Sequence, residues 1–314
     1  MRGLGIWGQS VAGLERNSES RLTRGIAMRE EKKTVQDFYD RFGWELTRDG
    51  VYKDTATWVD LRPVMLAYYS RARKRARRFF GRQGAYFLDA GSGALPHPEY
   101  VDYSHGYDTH VCVDLSMKGL QEARKKLQER GAYVLADITR LPFPDEVFHA
   151  VSSSHAIYHI PGDEQGDAVL ELCRVLKPDC TCLITYAWPA CRFSDWISRD
   201  SGPRWLRGMK GVLFLSERLR QGVADDVPPL YFHAHDARWF HQLLGSTAME
   251  YQIRCSQLID GVFSRALVPD NVFGTLLLAF ISLLEDWFPH GLATVGRYAF
   301  IRIRRVNLCG ALGE

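Results

Sequence analysis

Apolar residues return at helical spacing from Glu30 to Phe42 (Val35, Phe38, Tyr39, Phe42), and again after Pro63 (Met65, Leu66, Tyr69, Ala72, Ala76, Phe79, Phe80). Each pattern predicts an amphipathic helix, the second opened by proline at its first turn. Between them Asp49-Gly50 signals a turn in an otherwise irregular stretch. From residue 84 short apolar runs alternate with helical patterns. Ala85–Leu88, Val111–Val113, Ala132–Ala136, His149–Ser153 and Thr181–Tyr186 read as strands. SMKGLQEARKKLQERG reads as a helix closed by Gly131, and GDAVLELCRVLK as one that stops before Pro178. This alternation predicts a parallel sheet with helices on both faces. The order breaks over residues 189–235. HDARWFHQLLG then reads as a helix with Asp236 as N-cap and Gly245 as its stop, and Met249–Leu258 and Tyr298–Arg304 read as strands six and seven.

The first strand runs into LDAGSGALPHPEY, where Asp89 precedes Gly91, Ser92 and Gly93. Glycines after a strand let the backbone turn sharply and approach a ligand at the strand's carboxyl end. A dinucleotide fingerprint would need a third glycine where Pro96 stands. A carboxylate so close to the turn repels a pyrophosphate and attracts a cation. S-adenosyl-L-methionine, with an amine, a sulfonium and no phosphate, meets that requirement.

Four segments in order, LDAGSG, VCVDLS, ADITRLPFPDEVFHAV and ELCRVLKP, resemble the motifs of the class I S-adenosylmethionine-dependent methyltransferases. The resemblance covers roughly residues 86–186, and the chain is most similar to the methyltransferase type 11, quinone C-methyltransferase-like group. It implies an α/β fold: a doubly wound, Rossmann-like, seven-stranded, mostly parallel sheet with an antiparallel last strand, plus helical cap insertions. It also implies roles. Ala90, Gly91, Ser92 and Gly93 would pack against the methionine part of the cofactor, and Asp89 would hold its amine. Asp114 would accept from the ribose hydroxyls, with Leu115 and Ser116 beside the nucleoside. Asp137 would accept from the adenine amino group, with Ile138 close to the ring and Ser154 at the end of strand four. The product would be S-adenosyl-L-homocysteine. Leu95 stands where the family often has a third glycine, KPDC replaces the usual KPGG, and LPHPEYVDYSHGYDTH predicts a short or distorted first helix.

For the acceptor side, SSSHAIYHI after strand four supplies His155 as the first general-base candidate, with Tyr158 and His159 behind it. His155 is equally read as a residue that only shapes the pocket. His233 and His235 precede the helix that should border that pocket; they face either substrate or solvent. In related enzymes the N-terminal segment folds over the cofactor as a lid. Tyr39, Tyr52 and Arg62 lie in it, and Arg62 is the candidate partner of the cofactor carboxylate. The expected division is an arm over 1–27, a helical lid over 28–83, the cofactor-binding core over 84–188, a cap insertion over 189–235, and the rest of the core over 236–306 with a second insertion at about 260–296.

Composition alters this picture little. The 314 residues are 46% apolar, and the net charge of +3 gives no global attraction to nucleic acid. The seven cysteines are scattered, with no CxxC pair, which argues against a metal site and for the reducing cytoplasm. Two local features remain. Arginines crowd RARKRARRFFGR, residues 71–82; the default reading is the wet face of a helix, the alternative an RNA-binding or anionic-membrane surface. Val272–Leu284 is too short to span a bilayer. It reads first as a core helix, otherwise as the wall of an apolar acceptor cavity or a peripheral membrane contact. The sequence thus points to methyl transfer onto a small or lipid-like organic acceptor at oxygen, nitrogen or carbon. An RNA methyltransferase, a non-catalytic cofactor binder and a dehydrogenase stand behind it. Oligomeric state is not legible.

Overall fold

The computed structural model describes residues 28–198 and 227–305. The expected arm over 1–27 and most of the 189–235 insertion lie outside the described residues. Seven strands form one sheet: β1 Gly84–Ala90, β2 Tyr107–Asp114, β3 Gly131–Leu135, β4 Phe148–Ser154, β5 Leu176–Ala187, β6 Met249–Gln257 and β7 Tyr298–Arg305. Their order is β3-β2-β1-β4-β5-β7-β6. β7 alone runs antiparallel to its neighbours, β5 and β6. The first five strands run parallel, so they all deliver their carboxyl ends to one edge. That edge is where an open α/β sheet of this type binds ligands.

Ten helices accompany the sheet among the described residues: α1 Glu30–Phe38, α2 Lys53–Trp58, α3 Pro63–Arg77, α4 Pro98–Tyr103, α5 Met117–Leu127, α6 Gln165–Val175, α7 Arg192–Ser198, α8 Ala237–Gly245, α9 Gly261–Leu267 and α10 Val272–Trp287. Strand alternation decides which covers what. Phe87, Cys112, Ala150, Leu183 and Phe300 point to the side packed by the end of α3, α4 and α5. Leu88, Val151, Ile184 and Ile301 point to the side packed by α6 and α8. A smaller cluster joins α3, α9 and α10 through Met65, Phe263, Leu278 and Ile281.

Several boundaries differ from expectation. α1 continues as a π-helical turn over Tyr39–Gly43, and the stretch read as irregular holds α2. α5 ends at Gln128, with φ of 50°; Gly131 opens β3 instead of closing the helix. β5 starts at Leu176 and carries Pro178, five residues earlier than its apolar run suggests. The shortened first helix is present as the six residues of α4. α8 is capped as expected, Asp236 accepting from the Arg238 and Trp239 amides. α10 is not a core helix. Gly274, Leu278, Ile281, Ser282 and Glu285 turn inward, but Phe273, Leu276, Phe280 and Trp287 face solvent.

Candidate functional site

At the carboxyl end of β1 the chain reverses through Gly91 (φ 75°) and Gly93 (φ 50°). Leu95 follows in the same left-handed region at φ 49°, buried in the α5-side core. The backbone the missing third glycine would favour is thus retained by a leucine whose packing compensates its strain. Val113 accepts from the Gly91 amide at 2.7 Å. Asp114, at the end of β2, holds the turn from the other side: Oδ2 accepts from the Gly93 amide at 2.8 Å and Oδ1 from the Ser116 amide at 2.7 Å. Burial pushes its carboxyl up to about 6, against those two donors. Ala90 is fully buried, and Ile138 packs where a side chain on Gly91 would lie, 3.2 Å from that position. Ser154 ends β4 opposite Thr185.

Asp89 is buried, with no hydrogen-bond donor among the described residues; His110 Nε2 lies 3.7 Å from its Oδ2. A carboxylate kept in that setting suits a cationic group placed at the glycine turn. The residues therefore fit a ligand with an ammonium group and a diol. Asp137 is the exception to the expected pattern: its Oδ1 accepts from the Thr139 amide at 2.9 Å, and its Oδ2 pairs with Lys32 Nζ at 2.5 Å.

Lys32 shows how α1 is attached, which sequence reasoning missed. Along one side of α1 and its π-turn, Lys32 meets Asp137 and Glu164, Gln36 donates to the Leu115 carbonyl at 2.8 Å, and Asp40 accepts from Ser116 Oγ at 2.6 Å and the Lys118 amide at 3.1 Å. The N-terminal segment thus lies across the ends of β2 and β3. Behind it Tyr39 stacks on Trp44, with ring centroids 5.0 Å apart. The Trp44 indole fills the space above Gly93 and Gly119: a Cβ on Gly93 would fall 2.2 Å from its ring. Gly93 therefore admits a tryptophan as well as turning the chain. These polar residues carried no periodic signal, because their partners lie 76 to 132 residues away.

Beyond β4, His155 takes φ of 61°, an uncommon conformation for a residue with a Cβ. Its Nδ1 lies 3.0 Å from the Tyr158 hydroxyl, and its ring meets Tyr298 edge-on at 5.0 Å. Burial pulls the imidazole down to about 4, so it is neutral at pH 7. His159 is drawn down to about 4 in the same way, and its Nδ1 meets the Tyr231 carbonyl. The turn LPHPEY contributes His97, lowered to about 3 by burial and then by Arg73, with His155 near enough to be felt. Asp54 of α2, also missed, is pushed up to about 7 by burial, and its charge acts on Tyr39 and Tyr158. Tyr39 meets the His159 ring edge-on at 6.1 Å and His159 meets Tyr158 at 4.7 Å, so the π-turn after α1 lies beside the His155–Tyr158 pair.

Two candidates do not join them. Arg62 is tied to Asp60 (Nη2–Oδ2 2.7 Å) and to the carbonyls of Ser264 and Val268, so its guanidinium fastens α9 and is not free for a cofactor carboxylate. His233 is exposed, edge-on to His235 beside Gly162, although its amide donates to the Tyr158 carbonyl. Tyr52 packs edge-on against Trp44. The arginine-rich stretch is not a simple wet face: Arg73 pairs with Glu99, Arg75 is buried against Glu285, and Arg77 donates to the His105 carbonyl.

A family model described as a methyltransferase domain matches residues 88–184. The chain is 26% identical over 164 residues to the ubiquinone/menaquinone biosynthesis C-methyltransferase UbiE of Francisella tularensis subsp. novicida, covering 48% of this chain and 64% of that protein. It is 39% identical over 98 residues to the malonyl-[acyl-carrier protein] O-methyltransferase of Salmonella typhimurium, covering 31% and 37%. It therefore spans less than two thirds of the length of these relatives. Among solved structures, magnesium protoporphyrin IX methyltransferase from Synechocystis PCC 6803 with bound S-adenosylmethionine aligns at a TM-score of 0.51 and 11% identity, over 90% of this chain and all of that one. That likeness is one of fold. Motifs and matches agree that residues 88–184 are similar to a methyltransferase domain, set in a sheet whose fold is like that of the solved structure.

Proposed function

We propose that this protein transfers the methyl group of S-adenosyl-L-methionine to a small or lipid-like organic acceptor. The observation that carries the reading is the buried Asp89, without a hydrogen-bond donor among the described residues, beside a glycine turn that Asp114 holds from the next strand. When bound, S-adenosyl-L-methionine supplies an electrophilic methyl; the carbon–sulfur bond breaks as the bond to the acceptor forms, leaving S-adenosyl-L-homocysteine. Asp89 would compensate the ammonium. Ala90–Gly93 would support the methionine chain. The lone pairs that Asp114 does not give to Gly93 and Ser116 would receive the ribose hydroxyls. Leu115, Ser116, Ile138, Ser154 and Tyr39 would line the nucleoside, and Asp137 would accept from adenine only beside its pair with Lys32.

For a hydroxyl acceptor, His155 would take the proton. In the tautomer whose Nδ1–H is given to the Tyr158 oxygen, the Nε2 lone pair would be free, and the low pKa keeps the ring neutral at pH 7. Orientation by the enclosing aromatic residues supplies the rest. The six described cysteines are unpaired, which supports a cytoplasmic setting. No specific observation favours the RNA reading.

Calorimetric titration with S-adenosyl-L-methionine, S-adenosyl-L-homocysteine and NAD tests this. Binding of the first two, lost in Asp114→Ala and absent for NAD, is expected. No binding of either by the folded wild type would overturn the proposal.

A further inference from the structure

α10 is 16 residues long, and from Val272 to Leu284 it carries no charge. One side packs on α3 and β6 through Leu278, Ile281 and Glu285. The other side is open: Phe273 is 76% exposed, Leu276 62%, Phe280 56% and Trp287 69%, with Leu283 and Phe288 continuing the strip. Single exposed apolar residues need no explanation, but a contiguous strip along a whole helix marks an interaction surface.

What lies at the end of the strip identifies the occupant. Where α10 finishes, Arg78, Arg254 and Arg302 border a cavity of about 270 Å³ together with Glu285, Asp286 and Pro289. The two acids are taken by Arg75, Nη2 to Glu285 at 2.6 Å and Nη1 to Asp286 at 3.1 Å. The other three arginines have no carboxylate partner among the described residues. Arg254 and Arg302 lie over the Phe79 ring at 5.5 and 5.9 Å, and Arg302 Nε is buried without an acceptor among the described residues. Burial, then the charges of Arg304 and Arg254, lower the Arg302 pKa, with Glu250 opposing them. Apolar side chains along a helix, aromatic rings at its end and, beside them, arginines that form no ion pair among the described residues make the pattern of a helix lying in a membrane interface.

We propose that α10 seats this protein on an anionic lipid surface. Its apolar strip enters the headgroup boundary, and Arg78, Arg254 and Arg302 face the lipid phosphates. The helix, about 24 Å long, lies in the plane of the interface; among the described residues none is long and apolar enough to cross a membrane. The proposal rests on this surface alone and does not require the proposed methyl transfer.

Co-sedimentation of the full chain with phosphatidylglycerol-containing and pure phosphatidylcholine vesicles tests it. Binding to the anionic vesicles at low salt is expected. It should weaken at least tenfold in Leu276→Glu/Phe280→Glu, with the circular dichroism spectrum unchanged. Arg254→Gln/Arg302→Gln should lower anionic binding severalfold and flatten its salt dependence. No binding to anionic vesicles, or binding indifferent to the α10 substitutions, would overturn the proposal. So would a concentration-dependent dimer abolished by Phe280→Glu, which would make the occupant a second copy. A fall of several degrees in the vesicle-free Tm of Phe280→Glu would assign the strip to the chain's own residues 199–226, with the same consequence.

Discussion

Lys32 and Asp137, 105 residues apart in the chain, meet at 2.5 Å over the carboxyl end of β3. The contact joins the N-terminal helix to the strand end expected to meet adenine. Lys32 is buried and Asp137 is about a third exposed, so the pair is only partly screened. Lys32→Met should reduce unfolding free energy by about 1–3 kcal/mol, because Asp137 and Glu164 lose the ammonium they share, keeping only the Thr139 amide and Arg29. Chemical denaturation reads that change. An unaltered midpoint would show that Lys32 adds nothing to the hold kept on α1 by Arg29, Gln36, Asp40 and the buried Val35 and Phe38.

Gly93 and Trp44 form a second coupled pair. Gly93→Ala places a Cβ 2.2 Å from the indole and leaves an L-residue at φ 50°. The expected cost is about 2–4 kcal/mol, strain and overpacking together. Trp44→Leu removes the collision but not the strain. In a double-mutant cycle the pair should therefore be less destabilised than the sum of the singles, by about 1 kcal/mol or more. Additive effects would mean the two residues do not touch in solution.

Arg75 and Glu285 bury a charge pair behind the sheet. Burial pushes the Glu285 carboxyl up; the Arg75 charge, the Tyr68 hydroxyl and the Leu258 amide at 2.7 Å oppose that. Arg75→Met strands the carboxylate and should destabilise by about 3–5 kcal/mol. Arg75→Met/Glu285→Leu should recover most of it. Recovery is the discriminating result in the unfolding curves, since loss of packing alone would leave the double variant worse.

Asp54 sets a pH signature. Its carboxyl, ordinarily at 3.8, is pushed up to about 7 in the folded chain. Between those values the native state holds the extra proton. The group's stabilising contribution is therefore complete below the lower value and lost as pH rises through the upper one. Asp54→Asn should match wild type near pH 4 and exceed it in stability above pH 7. His155 and His159 act in the opposite sense. Held neutral to about 4, they contribute stability above their unfolded pKa that is lost as pH falls. His155→Phe should therefore flatten the acid limb of the stability profile. Urea midpoints across pH 4–9 check both signs.

If His155 takes the acceptor's proton, His155→Ala should lower kcat about 10²–10⁴-fold with a hydroxyl acceptor. It should alter cofactor affinity little. With an amine that is already neutral the loss should be slight. An equal loss with both acceptors would reduce His155 to a residue that shapes the pocket.

The alternation of strands and the glycine turn that follows the first of them were legible in the chain because each depends on local chemistry; the acids at residues 114 and 137 were singled out by the resemblance. A buried parallel strand must be apolar along its length, a left-handed turn favours glycine, and a strand that ends at a ligand edge can end in a charge. Asp236 capping α8 was readable for the same reason. The attachment of α1 was not. Lys32, Gln36 and Asp40 look like ordinary polar helix residues until the fold carries β2 and β3 beneath them. Arg62 and His233 show the converse: their residue types suit a site, but Arg62 is spent on Asp60 and the Ser264 and Val268 carbonyls, and the His233 ring is exposed although its backbone reaches Tyr158. The apolar run of α10 shows the limit most clearly. Periodicity can tell that a helix has apolar faces; how many of those faces find a partner depends on what the rest of the chain brings against them, and among the described residues α3 and β6 cover one side.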